Sequence, residues 1–178
     1  HRTILNGRRH SGARAFLDPI RNWVNLRIIT GALVERLSFK GKQVKGVVFQ
    51  KNQRTEEVRA GKEILLSAGS INSPKILQLS GVGNAEFLRN LGIEVIHDLK
   101  GVGERFQDHY AIRVANRVKG LQTLNERGRG ISLIWEILKW FATGKGLFAF
   151  SPASVGAFIR STPELSRPDL QCVFTPAS

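Results

Sequence analysis

The stretch from Glu63 to Gly83 restricts the possible folds more than any other part of the chain. Glu63-Ile64-Leu65-Leu66-Ser67-Ala68-Gly69 is a short apolar run that ends in small residues. That pattern predicts a strand buried on both faces of a parallel sheet. Ser73-Pro74 comes next, with serine suited to an N-cap and proline to the first helical position. A helix is expected over Lys75–Leu79, stopped by Ser80-Gly81-Val82-Gly83. Strand, small-residue turn and helix in this order make an α/β unit. The start of such a helix presents backbone N–H groups without partners, and these favour an anionic group such as phosphate. Many βα turns share that property, so the turn alone names no ligand.

The flanking segments extend the pattern. Asn84 is a cap for a helix over Ala85–Leu91 that Gly92 closes, and Ile93–Ile96 reads as a short strand. Upstream, Asn6-Gly7 is a turn pair and Ser11 caps an expected helix over Gly12–Ile20. Leu26–Thr30, residues 32–39, Val44–Gln50 and Glu57–Ala60 read as successive strands, with turns at Gly41-Lys42 and Lys51–Thr55. Beyond residue 110 the texture changes. Ala111–Val118, Phe158–Thr162 and Leu170–Phe174 read as strands, residues 119–130 as loop, and Ile131–Thr143 as an apolar helix ended by Gly144. No repeat unit is visible. The Gly-Val-Gly triplets at 81 and 101 lie in dissimilar surroundings and read as coincidence.

Composition removes several classes. Hydrophobic residues at 42% and charged residues at 23% argue against a disordered chain. One cysteine, Cys172, excludes an internal disulfide framework and a multi-cysteine zinc site, and within its strand it reads as a small buried hydrophobe. No apolar run reaches the length of a spanning helix. No signal-peptide pattern opens the chain. The chain begins at His1 and holds no methionine, so we read it as an excerpt of a longer polypeptide. The net charge is +13, and residues 1–54 alone hold 12 basic and 2 acidic side chains. Such a segment has the charge of a nucleic-acid-binding module or an anionic-lipid contact. No nucleic-acid motif accompanies it, which favours solvated Arg and Lys. The four histidines are His1, His10, His97 and His109; none has triad partners, and Asp108-His109 reads as a loop anchor. No metal site is expected.

Gly69-Ser70-Ile71-Asn72-Ser73-Pro74-Lys75-Ile76-Leu77-Gln78-Leu79-Ser80-Gly81-Val82-Gly83 resembles the second signature of the glucose–methanol–choline (GMC) oxidoreductases at every fixed position. Asn6-Gly7-Arg8-Arg9, Phe16-Leu17-Asp18-Pro19 and Asn25-Leu26 resemble the family's segment before its middle strands. Leu91-Gly92-Ile93, Gly101-Val102-Gly103 and Gln107-Asp108-His109 resemble the family's segment after its signature. Gly144-Lys145-Gly146-Leu147 and Pro168-Asp169-Leu170-Gln171 resemble the substrate-domain section of its choline and aliphatic-alcohol dehydrogenase branch. Arg105-Phe106 departs from the family, which usually has Asn-Leu there.

The resemblance implies an FAD-dependent enzyme that oxidises a primary alcohol by hydride transfer to the flavin. It implies a partial Rossmann-like FAD-binding domain with a β-meander over residues 1–109, and the start of a substrate-binding domain over 110–178. By position, Val34 matches the residue whose backbone contacts adenine, and Ala68 and Gly69 match the strand end beside the ADP half. The family's phosphate loop and catalytic histidine have no counterpart in these residues. Gly144-Lys145-Gly146-Leu147-Phe148-Ala149 has the looser glycine pattern but comes after a helix, not a strand. No catalytic residue is therefore assigned, and the chain alone is expected neither to retain FAD nor to turn over alcohol. The electron acceptor, quinone or another, is left open. A cytoplasmic setting is expected. Ile131–Thr143, with Trp135 and Trp140, is a buried helix or a peripheral contact with the inner face of the cytoplasmic membrane.

Overall fold

The computed structural model describes residues 4–149 and 155–176. The fold is mixed α/β. It divides into two compact units: Arg27–Ala111, and the described residues of His1–Leu26 together with Ile112–Ser178.

Unit Arg27–Ala111 is built on an antiparallel meander. Strands β3 (Leu33–Lys40), β4 (Gln43–Lys51) and β5 (Arg54–Arg59) pair in the order β3-β4-β5. The first turn is Gly41-Lys42, as the sequence predicts. The second is tighter than expected: Lys51 pairs with Arg54, and Asn52 and Gln53 both take positive φ, at 49° and 62°. That is the backbone sense of a two-residue turn whose twist matches the strands it joins. Helix α1 (Gly69–Leu79) packs on β3. Strand β6 (Val82–Gly83), helix α2 (Ala85–Asn90) and strand β7 (His97–Asp98) form a small parallel crossover, Val82 opposite His97. Asn84 caps α2 by accepting from the Phe87 N–H at 3.1 Å, and Asp98 accepts from the Ala85 N–H at 3.1 Å. The core is Leu37, Val48, Phe49, Ile76, Ala85, Leu88 and Val102, with Leu88 fully enclosed.

Several expectations in this unit need correction. Glu63–Ala68 is not a strand: it pairs with no other strand among the described residues, and Leu65 is 82% exposed. An apolar run becomes a strand only when a neighbour accepts its backbone bonds. Helix α1 begins at Gly69, not after Ser73, and Pro74 lies inside it. The Ser73 hydroxyl turns back and accepts from the Ala68 N–H at 3.0 Å instead of capping the residues after it. Leu26–Thr30 is irregular, and the strand placed at Ile93–Ile96 forms at His97–Asp98 instead.

The other unit holds a short hairpin, β1 (Ile4–Leu5) with β2 (Arg8–Arg9), turned by Asn6-Gly7 as expected. A wide π-type turn over Ala13–Leu17 runs into a tight 3-10 turn over Asp18–Ile20, in place of one regular helix. Ser11 does accept from the Arg14 N–H, at 3.4 Å. Helix α3 (Leu124–Arg127) carries a capping box between Thr123 and Glu126. Helix α4 (Gly130–Thr143) ends at Gly144, whose φ of 65° closes it as predicted. Strands β8 (Val155–Ile159) and β9 (Leu170–Phe174) make an antiparallel hairpin. Ala111–Val118 is not a strand, and Cys172 is exposed, not buried. On β9, Cys172 pairs with Ala157 in a two-stranded sheet that no third layer covers among the described residues.

The two units differ in how they are held together. All seven core hydrophobics lie in Arg27–Ala111. In the other unit the one buried side chain among the described residues is a charged one, Glu136. Ile131, Ile134, Trp135, Leu138 and Phe141 along one face of α4 are all exposed. Their spacing of three and four residues makes them one stripe.

Candidate functional site

The signature segment 69–83 organises its unit. Strand β3 is the edge of the meander, so some of its N–H groups have no strand to bond. Ser80, just past α1, solves this for one of them: the buried Leu37 N–H donates to Ser80 Oγ at 2.8 Å, and the Ser80 hydroxyl donates to the Ile76 carbonyl. One serine thus ends α1 and fastens it to β3. Gly81 has φ 84°, and a Cβ there would lie 2.3 Å from the Glu94 carbonyl oxygen. The absent side chain is what lets 94–97 approach, and the Gly81 carbonyl accepts from the N–H groups of Ile96 and His97 at 2.8 and 3.1 Å.

The last glycine of each Gly-Val-Gly triplet packs against the same side chain. A Cβ on Gly83 would lie 3.2 Å from Gln78 Cγ, and one on Gly103 would lie 2.5 Å from Gln78 Nε2. The Gln78 amide sits between them and donates to the Val102 carbonyl at 3.2 Å. The sequence places them 20 residues apart; the helix side chain brings them together.

The three candidate cofactor residues fall in two places. Val34 lies in β3 opposite Phe49, just before a register shift between Val34 and Arg36. It lines an open groove of about 300 Å³ with Leu33, Glu35, Arg36, Lys75 and Leu79. Ala68 and Gly69 are outside that lining, at the start of α1. No side chain caps this helix start, and its first turn holds no acidic residue. Gly69 has φ 88°, a conformation that favours glycine, and nothing lies within 4 Å of where a Cβ would be. Exposed N–H groups and open space beside a glycine suit the close approach of an anionic ligand backbone.

Other expected features have plain placements. Asp108 accepts from the N–H of its chain neighbour His109 at 2.7 Å, a local contact that no third side chain joins among the described residues. Among the described residues no group of three His, Cys, Asp or Glu side chains is close enough to hold a metal ion. The basic residues of 1–54 are divided between the two units, so they do not form one independent body. Several have internal roles: Arg8 lies over the Trp140 ring at 5.9 Å, Arg14 donates to the Arg9 carbonyl, and Arg21 pairs with Asp18 at 3.0 Å. Arg105, where the resemblance expects asparagine, holds φ 55°. Asparagine enters that region more readily than arginine.

The model of the GMC oxidoreductase family matches residues 3–111. The chain belongs to the GMC oxidoreductases. An oxygen-dependent choline dehydrogenase of Staphylococcus saprophyticus is 42% identical over 173 residues, which cover 97% of this chain and 31% of that protein. The mitochondrial choline dehydrogenase of Homo sapiens is 38% identical over 175 residues, covering 98% of this chain and 30% of that protein. Among solved structures, an FAD-dependent oxidoreductase from Chaetomium thermophilum superposes with a TM-score of 0.72 at 30% identity, over 84% of this chain and 27% of that one. The chain therefore spans about a third of the length of the curated relatives it matches.

Proposed function

We propose that this chain is the central part of an FAD-dependent enzyme that oxidises a primary alcohol, of the choline or aliphatic-alcohol type. The observation that carries this reading is the signature segment 69–83. It matches the family and folds into a helix with an uncapped start, an open glycine and a serine anchor to β3. Bound FAD would supply the hydride acceptor. This chain's share is seating and orienting it. Val34 would offer main-chain groups at the edge of β3 to the adenine, while Ala68 and Gly69 would let the ADP half lie against the start of α1. No side chain of this chain is assigned the proton transfer. The electron acceptor, quinone, oxygen or another oxidant, is left open.

The domain reading goes with it. We assign residues 1–109 mainly to the FAD-binding domain and 110–178 to the substrate-binding domain. The compact unit ending at Ala111 supports that boundary. The family match over residues 3–111 supports keeping the first 26 residues with the FAD-binding domain, although their described part groups with 112–178 in the fold.

Gly69→Val in the polypeptide that carries this chain tests the seat. It would add a side chain in the open space and place a β-branched residue at positive φ, at a cost of about 1–3 kcal/mol. Flavin content per protein, read from visible absorbance, is expected to fall about tenfold, the equivalent of about 1.4 kcal/mol of lost affinity. Undiminished flavin in a folded Gly69→Val protein would remove Gly69 from the site.

The stripe on α4 supports a second reading, a peripheral contact with the inner face of the cytoplasmic membrane. No helix among the described residues is long and apolar enough to cross a membrane. Trp135 at 68% exposure, with Leu138 and Phe141, would enter the interface while Lys139 and Lys145 meet anionic headgroups. Trp140 does not belong to that face, because its indole N–H donates inward to the Gly7 carbonyl at 2.7 Å. Flotation with anionic vesicles is expected to weaken after Trp135→Ser and to persist after Trp140→Phe. Equal flotation of wild type and Trp135→Ser would reject the contact.

A further inference from the structure

Glu136 is 8% exposed and sits in the middle of α4, with apolar residues that should have been its better-buried neighbours turned outward. A charged side chain is rarely the most buried group of a unit unless every oxygen is engaged. Here both are. Oε1 receives the Arg127 guanidinium from α3, and Oε2 receives the Leu147 backbone N–H at 2.8 Å. The loop passes close enough that a Cβ on Gly146 would lie 2.6 Å from Oε2. Helix α3 is in turn tied onward, since the Leu124 N–H donates to the Pro176 carbonyl at 2.9 Å, just past β9. One carboxylate therefore joins three pieces of backbone: α3, α4 and the segment 144–149.

We propose that Glu136 is a latch that fastens α3 and the Gly144–Ala149 loop to α4, so that loss of its carboxylate releases these two segments while α4 keeps its own helix. The helix does not depend on the latch for its backbone bonds. Its C-terminus is closed independently by the Gly144 N–H donating to the Trp140 carbonyl at 2.8 Å, and Thr143 Oγ1 donates to the Lys139 carbonyl. The loop's other ties lie at its two ends: the Lys145 N–H donates to Thr143 Oγ1 at 3.2 Å, the Phe148 ring meets the Trp140 ring edge-on at 6.3 Å, and the Ala149 N–H bonds back to the Gly146 carbonyl at 3.0 Å, so Glu136 is the side chain that holds the middle of the loop, at Leu147. The Arg127 hydrogen bond, the Leu147 N–H and the nearby charges of Arg127 and Lys139 hold the Glu136 carboxyl below its ordinary range against the opposing effect of burial. The latch is thus closed at neutral pH and opens only as pH falls through that lowered value.

Amide hydrogen exchange on the full chain, read residue by residue by NMR, tests this with two variants. Glu136→Leu removes both acceptors. Exchange at Leu147 and Gly128 is expected to rise about tenfold or more, while amides within α4 stay within about twofold of wild type. Glu136→Gln can keep a carbonyl for the Leu147 N–H but turns an amide donor toward Arg127. It is expected to free Gly128 and leave Leu147 protected. Unchanged exchange at Leu147 in Glu136→Leu, or at Gly128 in Glu136→Gln, would overturn the latch. So would a uniform rise along α4 in either variant, since Glu136 would then be part of the helix's own stability.

Discussion

Gly81→Ala is expected to cost the Arg27–Ala111 unit about 2–6 kcal/mol. Two penalties add at this position. The first is conformational, because φ 84° lies where an L side chain is strained. The second is steric. The new methyl would lie 2.3 Å from the Glu94 carbonyl oxygen and 2.8 Å from Ile96 Cγ1, so the 94–97 segment must move away. Moving it breaks the two bonds that the Gly81 carbonyl accepts from Ile96 and His97, and with them the pairing of β6 to β7. Domains keep only about 5–15 kcal/mol of net stability, so this loss is a large share of the whole. Urea unfolding followed by circular dichroism would read it as a fall in midpoint. A midpoint within experimental scatter of wild type would show that the 94–97 segment yields without penalty.

Leu88→Ala is the second large effect, expected at about 2–5 kcal/mol. Leu88 is the one fully enclosed large side chain among the described residues. It comes from α2 and lies 3.4 Å from where a Gly83 Cβ would be, beside the parallel crossover. The helix is short and capped at both ends by Asn84 and Gly92, so its backbone has little freedom to collapse into the space left. Leu88→Ile, with the same number of carbons, is expected to lose less than about 1.5 kcal/mol. Equal losses for both variants would mean that shape, not buried volume, controls this site.

Much of the fold is legible where local signals are strong. The strands read at residues 32–39 and Val44–Gln50 form as the hairpin Leu33–Lys40 with Gln43–Lys51, and α1 packs on the first of them. The end of α4 at Gly144 and the cap at Asn84 come from residues that can do little else. Where a strand depends on a partner far away, the local pattern misleads. Ile64-Leu65-Leu66 has the composition of a central strand, yet no neighbouring backbone meets it among the described residues. Pro74 has the chemistry of a first helical residue, but α1 reaches back to Gly69 and accommodates it inside. Of the candidate cofactor residues, Gly69 can be read from the signature, and its positive φ adds a physical reason for a glycine there. In the sequence Ser80 and Gln78 are no more than parts of a helix end. Their partners, Leu37 and Val102, lie 43 and 24 residues away.

By itself the sequence determined the family, through an unbroken run from Gly69 to Gly83, and it determined the meander, the start of α2 at Asn84 and the end of α4 at Gly144 through periodicity and capping residues. Those signals act over a turn or two of chain, so they can be read without coordinates. The tertiary structure alone decided which apolar residues find cover. It turned Trp135 and Phe141 outward, drew Glu136 inward to Arg127 and Leu147, and set both Gly-Val-Gly triplets around one glutamine. Burial and long-range hydrogen bonding depend on what other segments bring within a few ångströms, and no local pattern carries that information.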